Sequence, residues 1–191
     1  IFFYIYEKMK SYRYEIKFSL DEAMYAEAMS WISVNTEAIK KYNNRIVNSL
    51  YFDDTNYSSL RDNIIGLPER FKYRLRWYVN NDAKIITCPK FEIKIRSGRL
   101  GRKETLDLIP KTESFESSSL KEIELDLRDE LLKSNYILED YLSPSLATAY
   151  LREYYEDHLG LRITIDKNIE FSFVDGINTK LCDCPKTKYY R

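Results

Sequence analysis

Between residues 70 and 77 the chain alternates without a break, with Arg70, Lys72, Arg74 and Arg76 interleaving Phe71, Tyr73, Leu75 and Trp77. Side chains on a strand point to opposite faces in turn, so this period of two makes Phe71–Val79 a strand. A helix would scatter both sets around its circumference. Four cations at two-residue spacing on one face repel each other unless something offsets their charge. The segment therefore asks for a core on one side and a compensating partner on the other.

Other segments repeat the arrangement. Tyr12 to Ser19 alternates, with Tyr12, Tyr14, Ile16 and Phe18 against Arg13, Glu15 and Lys17. Phe91 to Arg96 sets Phe91, Ile93 and Ile95 against Glu92, Lys94 and Arg96, then turns at Ser97-Gly98-Arg99-Leu100-Gly101 and returns through Lys103–Leu108. Further strands are expected over Arg45–Asp53, Ala149–Tyr155, Leu161–Asp166 and Glu170–Val174, with Asn80-Asn81-Asp82 as a turn. Helices are expected in two places marked by capping boxes, Ser19 with Glu22 and Ser119 with Glu122. The first carries Leu20, Met24, Ala28 and Trp31 to about Ile32; the second shows Leu120, Ile123, Leu127 and Leu131 as a stripe to about Lys133. A short helical or turn segment over Tyr57–Ile65 ends at Gly66-Leu67-Pro68.

Total charge hides this pattern, because 30 Lys/Arg balance 30 Asp/Glu. Residues 70–103 nevertheless hold eleven Lys/Arg against Asp82 and Glu92, and residues 104–141 hold eleven acids against four bases. A neutral chain has placed its positive charge in one region. The chain is long enough at 191 residues for a single domain with a real core, and 17 Tyr with 9 Phe favour strands. The one histidine, His158, rules out multi-histidine metal sites. Cys88, Cys182 and Cys184 lack paired zinc spacing and read as reduced thiols of a cytoplasmic protein. No stretch approaches the ~20 apolar residues of a membrane span. Met9 is expected as the start of a single domain over 9–191, with residues 1–8 outside the native fold and the C-terminus truncated.

A solvated sheet face kept soluble by Lys and Arg would explain one such strand. Several strands with the same face point instead to a polyanion, and the arginines point to phosphate, whose oxygens match a guanidinium fork. Glu15 and Glu92 amid these cations are either salt-bridge partners or oxygen ligands for Mn²⁺ or Mg²⁺. Single-stranded nucleic acid is disfavoured, since it needs stacking aromatics beside the cations, and alternation puts the two on opposite faces.

These segments resemble the vacuolar transporter chaperone (VTC) domain, in the polyphosphate polymerase branch of the triphosphate tunnel metalloenzymes. Tyr12-Arg13-Tyr14-Glu15-Ile16-Lys17 is similar to the family's opening strand, with Arg13 where the wider tunnel signature has its first glutamate. Ser49-Leu50-Tyr51-Phe52-Asp53, Gly66 and Arg70 through Tyr78 resemble its most recognisable block. Phe91-Glu92-Ile93-Lys94 with Lys103, Tyr150-Leu151-Arg152 and Arg162-Ile163-Thr164-Ile165-Asp166 follow in the family's order, while its late Glu-x-Lys strand has no counterpart before Arg191. The resemblance implies an α+β fold, an antiparallel β-barrel forming a tunnel with a charged lumen and helices packed outside. It implies a metal-dependent phosphotransferase moving the γ-phosphate of ATP onto polyphosphate. Lys17, Arg74, Arg76, Lys94, Lys103, Arg152 and Arg162 would grip phosphates, Glu15 and Glu92 would hold the metal, and Arg13, Lys72 and Asp166 would assist. A membrane or regulatory partner on another polypeptide is a further implied possibility. The alternatives are a triphosphatase of the same fold, a non-catalytic polyphosphate- or nucleotide-binding module, and an α+β domain with no phosphate ligand.

Overall fold

A computed structural model of the chain describes residues 16–80, 89–98, 100–108, 118–174, 179–181 and 187–188. In chain order the elements are α1 (Glu22–Asn35), β1 (Ile39–Asp53), α2 (Ser58–Ile65), β2 (Glu69–Asn80), β3 (Lys90–Ser97), β4 (Leu100–Asp107), α3 (Leu120–Lys133), β5 (Ser143–Glu156), β6 (Arg162–Phe173) and β7 (Thr187–Lys188). The strands form one antiparallel sheet in the order β4-β3-β2-β1-β5-β6-β7, so the fold is α+β. The expected closure into a barrel is not observed. Among the described residues β4 and β7 are the two edges and do not pair, so the sheet is open.

One face of the sheet carries the core. Leu50 and Phe52 of β1, Leu75 and Trp77 of β2, and Phe91 and Ile93 of β3 pack with Leu120, Ile123, Leu127 and Leu131 of α3. The α3 stripe is therefore the buried face of an amphipathic helix. Its start is the expected capping box: the Ser119 side chain accepts from the Glu122 N–H, and the Glu122 side chain accepts from the Ser119 N–H at 2.8 Å. Gly66 ends α2 in the left-handed conformation at φ 78°, where a side chain would be strained.

Several elements depart from the sequence expectations. Residues 16–19 form no strand, and Ile16 and Phe18 are exposed; residues 12–15 and residues 81–82 of the expected turn lie outside the described residues, while Asn80 ends β2. The N-cap of α1 is Asp21, whose Oδ1 accepts from the Met24 N–H at 2.8 Å, rather than Ser19. A carboxylate two residues nearer the helix is as good a cap as the serine. The apolar side of α1 stays largely in solvent, with Trp31 61% exposed. The helix is attached instead through Tyr25, whose hydroxyl accepts from Lys167 Nζ at 2.6 Å.

β1 begins six residues before the expected Arg45, because Ile39 to Tyr42 pair with the far end of β5 through irregular register. The two strands expected after Leu161 are one. Between the pairs Ala149↔Glu170 and Leu151↔Lys167 the ladder gains a residue on β6, and Asn168 there takes φ 51°. That bulge interrupts the alternation without ending the strand.

Candidate functional site

The opposite face of the sheet gathers the cations. Antiparallel register puts Arg74 beside Glu92 and, two pairs further along, Lys72 beside Lys94 beside Lys103. Across β1, Ser49 lies between Arg76 and Thr148, and Tyr51 lies beside Arg74. Arg152 on β5 pairs with Asp166 on β6. Strand alternation thus brings Lys72, Arg74, Arg76, Lys94, Lys103 and Arg152 onto one face, as the sequence led us to expect.

At its centre the face is buried: Arg74 is 4%, Arg76 7% and Glu92 2% exposed. Glu92 is enclosed by three cations. Arg74 Nε donates to its Oε2 at 2.6 Å, Lys103 Nζ donates to its Oε1 at 2.8 Å, and Arg76 Nη1 lies 3.7 Å from Oε2. Burial opposes ionisation of this carboxyl, but Arg74, Lys103 and Arg76 outweigh it and hold its pKa down at about 2. Arg74 Nη1 also donates to the Tyr51 hydroxyl and Arg76 Nη2 to the Tyr150 hydroxyl, both at 3.4 Å. The second contact reaches across β1, from β2 to β5.

One step along, Lys72 is under electrostatic stress. Burial lowers its pKa first, and the neighbouring charges of Lys17, Arg70 and Arg74 lower it further. Lys17 therefore acts on this region although it sits in an exposed, irregular segment rather than on a strand. Arg13 and Glu15 lie outside the described residues.

The β5–β6 end is built differently. Arg152 makes a two-point contact with Asp166, Nε to Oδ1 at 2.6 Å and Nη2 to Oδ2 at 2.7 Å, and stacks over the Tyr150 ring at 5.1 Å. Burial alone would lower the Arg152 pKa, but the bond to Asp166 raises it. Arg162 is exposed and lies 3.6 Å from Glu156. These two arginines share the face with Arg74 and Arg76 but are answered one to one by acids.

The site suits a phosphate-bearing anion, since the buried guanidinium groups of Arg74 and Arg76 share one face with the partly exposed ammonium groups of Lys72, Lys94 and Lys103. Trp77 is buried in the core on the other face, so it is not a stacking platform for a base. A model of the VTC domain matches residues 12–184 of the chain. The chain belongs to the VTC-domain family. No curated protein matches it. No helix among the described residues of this VTC domain is long and apolar enough to cross a membrane.

The described residues of the VTC domain do not assemble a metal site on their own. No three His, Cys, Asp or Glu side chains come together among them, and both Glu92 oxygens are taken by cations. Sequence reasoning quoted Ser49, Tyr51 and Tyr150 only within the segments that carry the resemblance, gave them no site role and passed over Thr148; all four line the same face. Ser49 carried one signal, as a small polar residue followed directly by the apolar run Leu50-Tyr51-Phe52.

Proposed function

We propose that this VTC domain holds the phosphates of ATP and of a polyphosphate chain on the cationic face of β2, β3 and β4 and transfers the γ-phosphate between them. The observation that carries this reading is the buried carboxylate of Glu92 shared by Arg74, Arg76 and Lys103. One buried acid between two buried arginines, with half-exposed Lys103 beside it, leaves a net positive centre largely out of water, a costly arrangement that an anionic ligand would offset. The Lys72, Lys94 and Lys103 row lies four residues from Arg76 along β2, roughly 13 Å. An elongated phosphate chain matches that spread better than a single orthophosphate.

In the proposed reaction a terminal oxygen of the chain attacks the γ-phosphorus of ATP. A new P–O bond forms, the bond from the γ-phosphorus to the β–γ bridging oxygen breaks, and ADP leaves with that electron pair. Such chemistry asks for alignment and charge neutralisation rather than a protein nucleophile. Arg74, Arg76, Lys94 and Lys103 would grip the phosphates, with Lys72 and Lys17 beside them. Arg152 and Arg162 would join only by loosening their hold on Asp166 and Glu156. The closed tunnel, the dependence on Mn²⁺ or Mg²⁺, the cytoplasmic setting and any membrane or regulatory partner belong to this proposal. Glu15 and Glu92 remain its candidate metal ligands, although the cations around Glu92 do not present it as an open one.

The test is incubation with ATP and Mn²⁺, following ADP and polymer together. Matched ADP release and chain growth, lost in Arg76→Ala, is the expected result. Orthophosphate release without growth would replace the polymerase by a triphosphatase. Tight tripolyphosphate binding without turnover would make the domain a binding module, a reading favoured by the full engagement of Glu92.

A further inference from the structure

Among the described residues, three buried polar atoms on the cationic face lack a hydrogen-bond partner: Arg76 Nε, Ser49 Oγ and Thr148 Oγ1. They belong to one cross-strand row, since Ser49 of β1 is in register with Arg76 of β2 on one side and with Thr148 of β5 on the other. Adjacent strands lie about 4.8 Å apart, so the row spans roughly 10 Å. Ser49 is fully buried and Arg76 nearly so. Buried polar groups are almost always paired, and three orphans side by side mark a place where a partner belongs. All three can donate: a guanidinium N–H and two hydroxyls that rotate to suit.

The neighbouring cations are more fully engaged. Arg74 and Lys103 are bonded to Glu92, whereas Arg76 touches Glu92 only at 3.7 Å and the Tyr150 hydroxyl only at 3.4 Å. Of the arginines at the buried centre, Arg76 is the one with unspent donor capacity. Neutral hydroxyls beside it add direction to its charge, because they bond an oxygen at a defined angle where a lysine attracts from any.

We infer that Ser49 and Thr148, with Arg76 Nε, form a donor row that takes non-bridging oxygens of a bound phosphate chain and fixes its register along the face. This inference rests on the phosphate-binding reading of the site. Arg76 supplies charge, and the two hydroxyls position the chain.

The test is tripolyphosphate binding by calorimetry, on the chain as described, over a range of salt. Ser49→Ala and Thr148→Val are each expected to weaken binding about tenfold, the scale of a lost hydrogen bond to a charged group. Thr148→Ser restores the hydroxyl and is expected to bind like the parent. The salt dependence of both weakened variants should equal the parent's, because no charge is removed. Unchanged affinity in the Ser49→Ala, Thr148→Val double variant, with the parent still binding, would overturn the donor row and leave the phosphate-binding reading intact. Failure of Thr148→Ser to restore affinity would reduce Thr148 to a packing role and overturn the row as stated. Absence of binding by the parent would overturn both.

Discussion

The two ends of the cationic face carry the same kinds of residue and arrange them in opposite ways. On β2–β4 a single buried acid, Glu92, serves Arg74, Arg76 and Lys103. On β5–β6 each arginine has its own acid, Asp166 for Arg152 and Glu156 for Arg162. The first end stores positive charge away from water; the second cancels it near water. On the proposed reading, positive charge alone is a poor guide to a ligand site. The better guide is charge that the fold buries without answering in full.

The sharpest way to break this contrast is to remove the shared acid. Glu92→Gln is expected to destabilise the domain by about 3–5 kcal/mol in chemical denaturation, because three buried or half-buried cations lose their common partner. Acid titration offers the same test from another side. The Glu92 carboxyl is more acidic in the folded chain than at its ordinary value of 4.5, so its contribution to stability is complete above about pH 4.5 and disappears as the pH falls to about 2. That acid-labile component, on the order of 3 kcal/mol, should be missing from Glu92→Gln. An unchanged acid profile would mean that Glu92 is not tied to its cations in solution.

Next in size is ligand binding. Arg76→Ala is expected to weaken tripolyphosphate binding more than about tenfold at physiological salt. Equal weakening by Arg162→Ala would erase the distinction between the two ends. Asp166→Asn should cost only about 1 kcal/mol, since the pair it breaks is partly exposed. It should leave binding unchanged or tighten it by releasing Arg152, and a loss of binding would place Asp166 among the positioning groups. The smallest effect is expected from Tyr25→Phe, which removes the hydroxyl that accepts from Lys167. It should loosen α1 by less than about 1 kcal/mol, visible as faster amide exchange in Glu22–Asn35, with binding untouched.

What could be read in the sequence were features that repeat locally. Arg70 to Trp77 showed its strand and both its faces because alternation needs no knowledge of the neighbours. Ser119, Glu122 and the α3 stripe were legible for the same reason, being spaced within a few turns of one helix. Partnership was not legible. That Arg152 meets Asp166, or that Ser49 lies between Arg76 and Thr148, depends on strand register, which no single segment encodes. β6 looked like two strands because one residue in the left-handed conformation, Asn168, breaks the period while the ladder continues past it. The polar start of β1, with Lys40, Lys41, Asn43 and Asn44, gave no periodic signal and is held as a strand by β5. At α1 a sound rule was applied to the wrong candidate: Asp21 and Ser19 both suit an N-cap, and the one nearer the helix took the role.

The stress on Lys72 reaches beyond the site it adjoins. A fold that presses ammonium groups together is held below the stability it would have with an anion among them. By mass action, a ligand that binds only the folded chain adds about 2.7 kcal/mol of stability at a hundredfold excess over its Kd. For a domain of ordinary marginal stability that is a large share of the whole. If the proposed phosphate chain is that ligand, its binding would slow proteolysis of the folded domain as well as fill the cationic face.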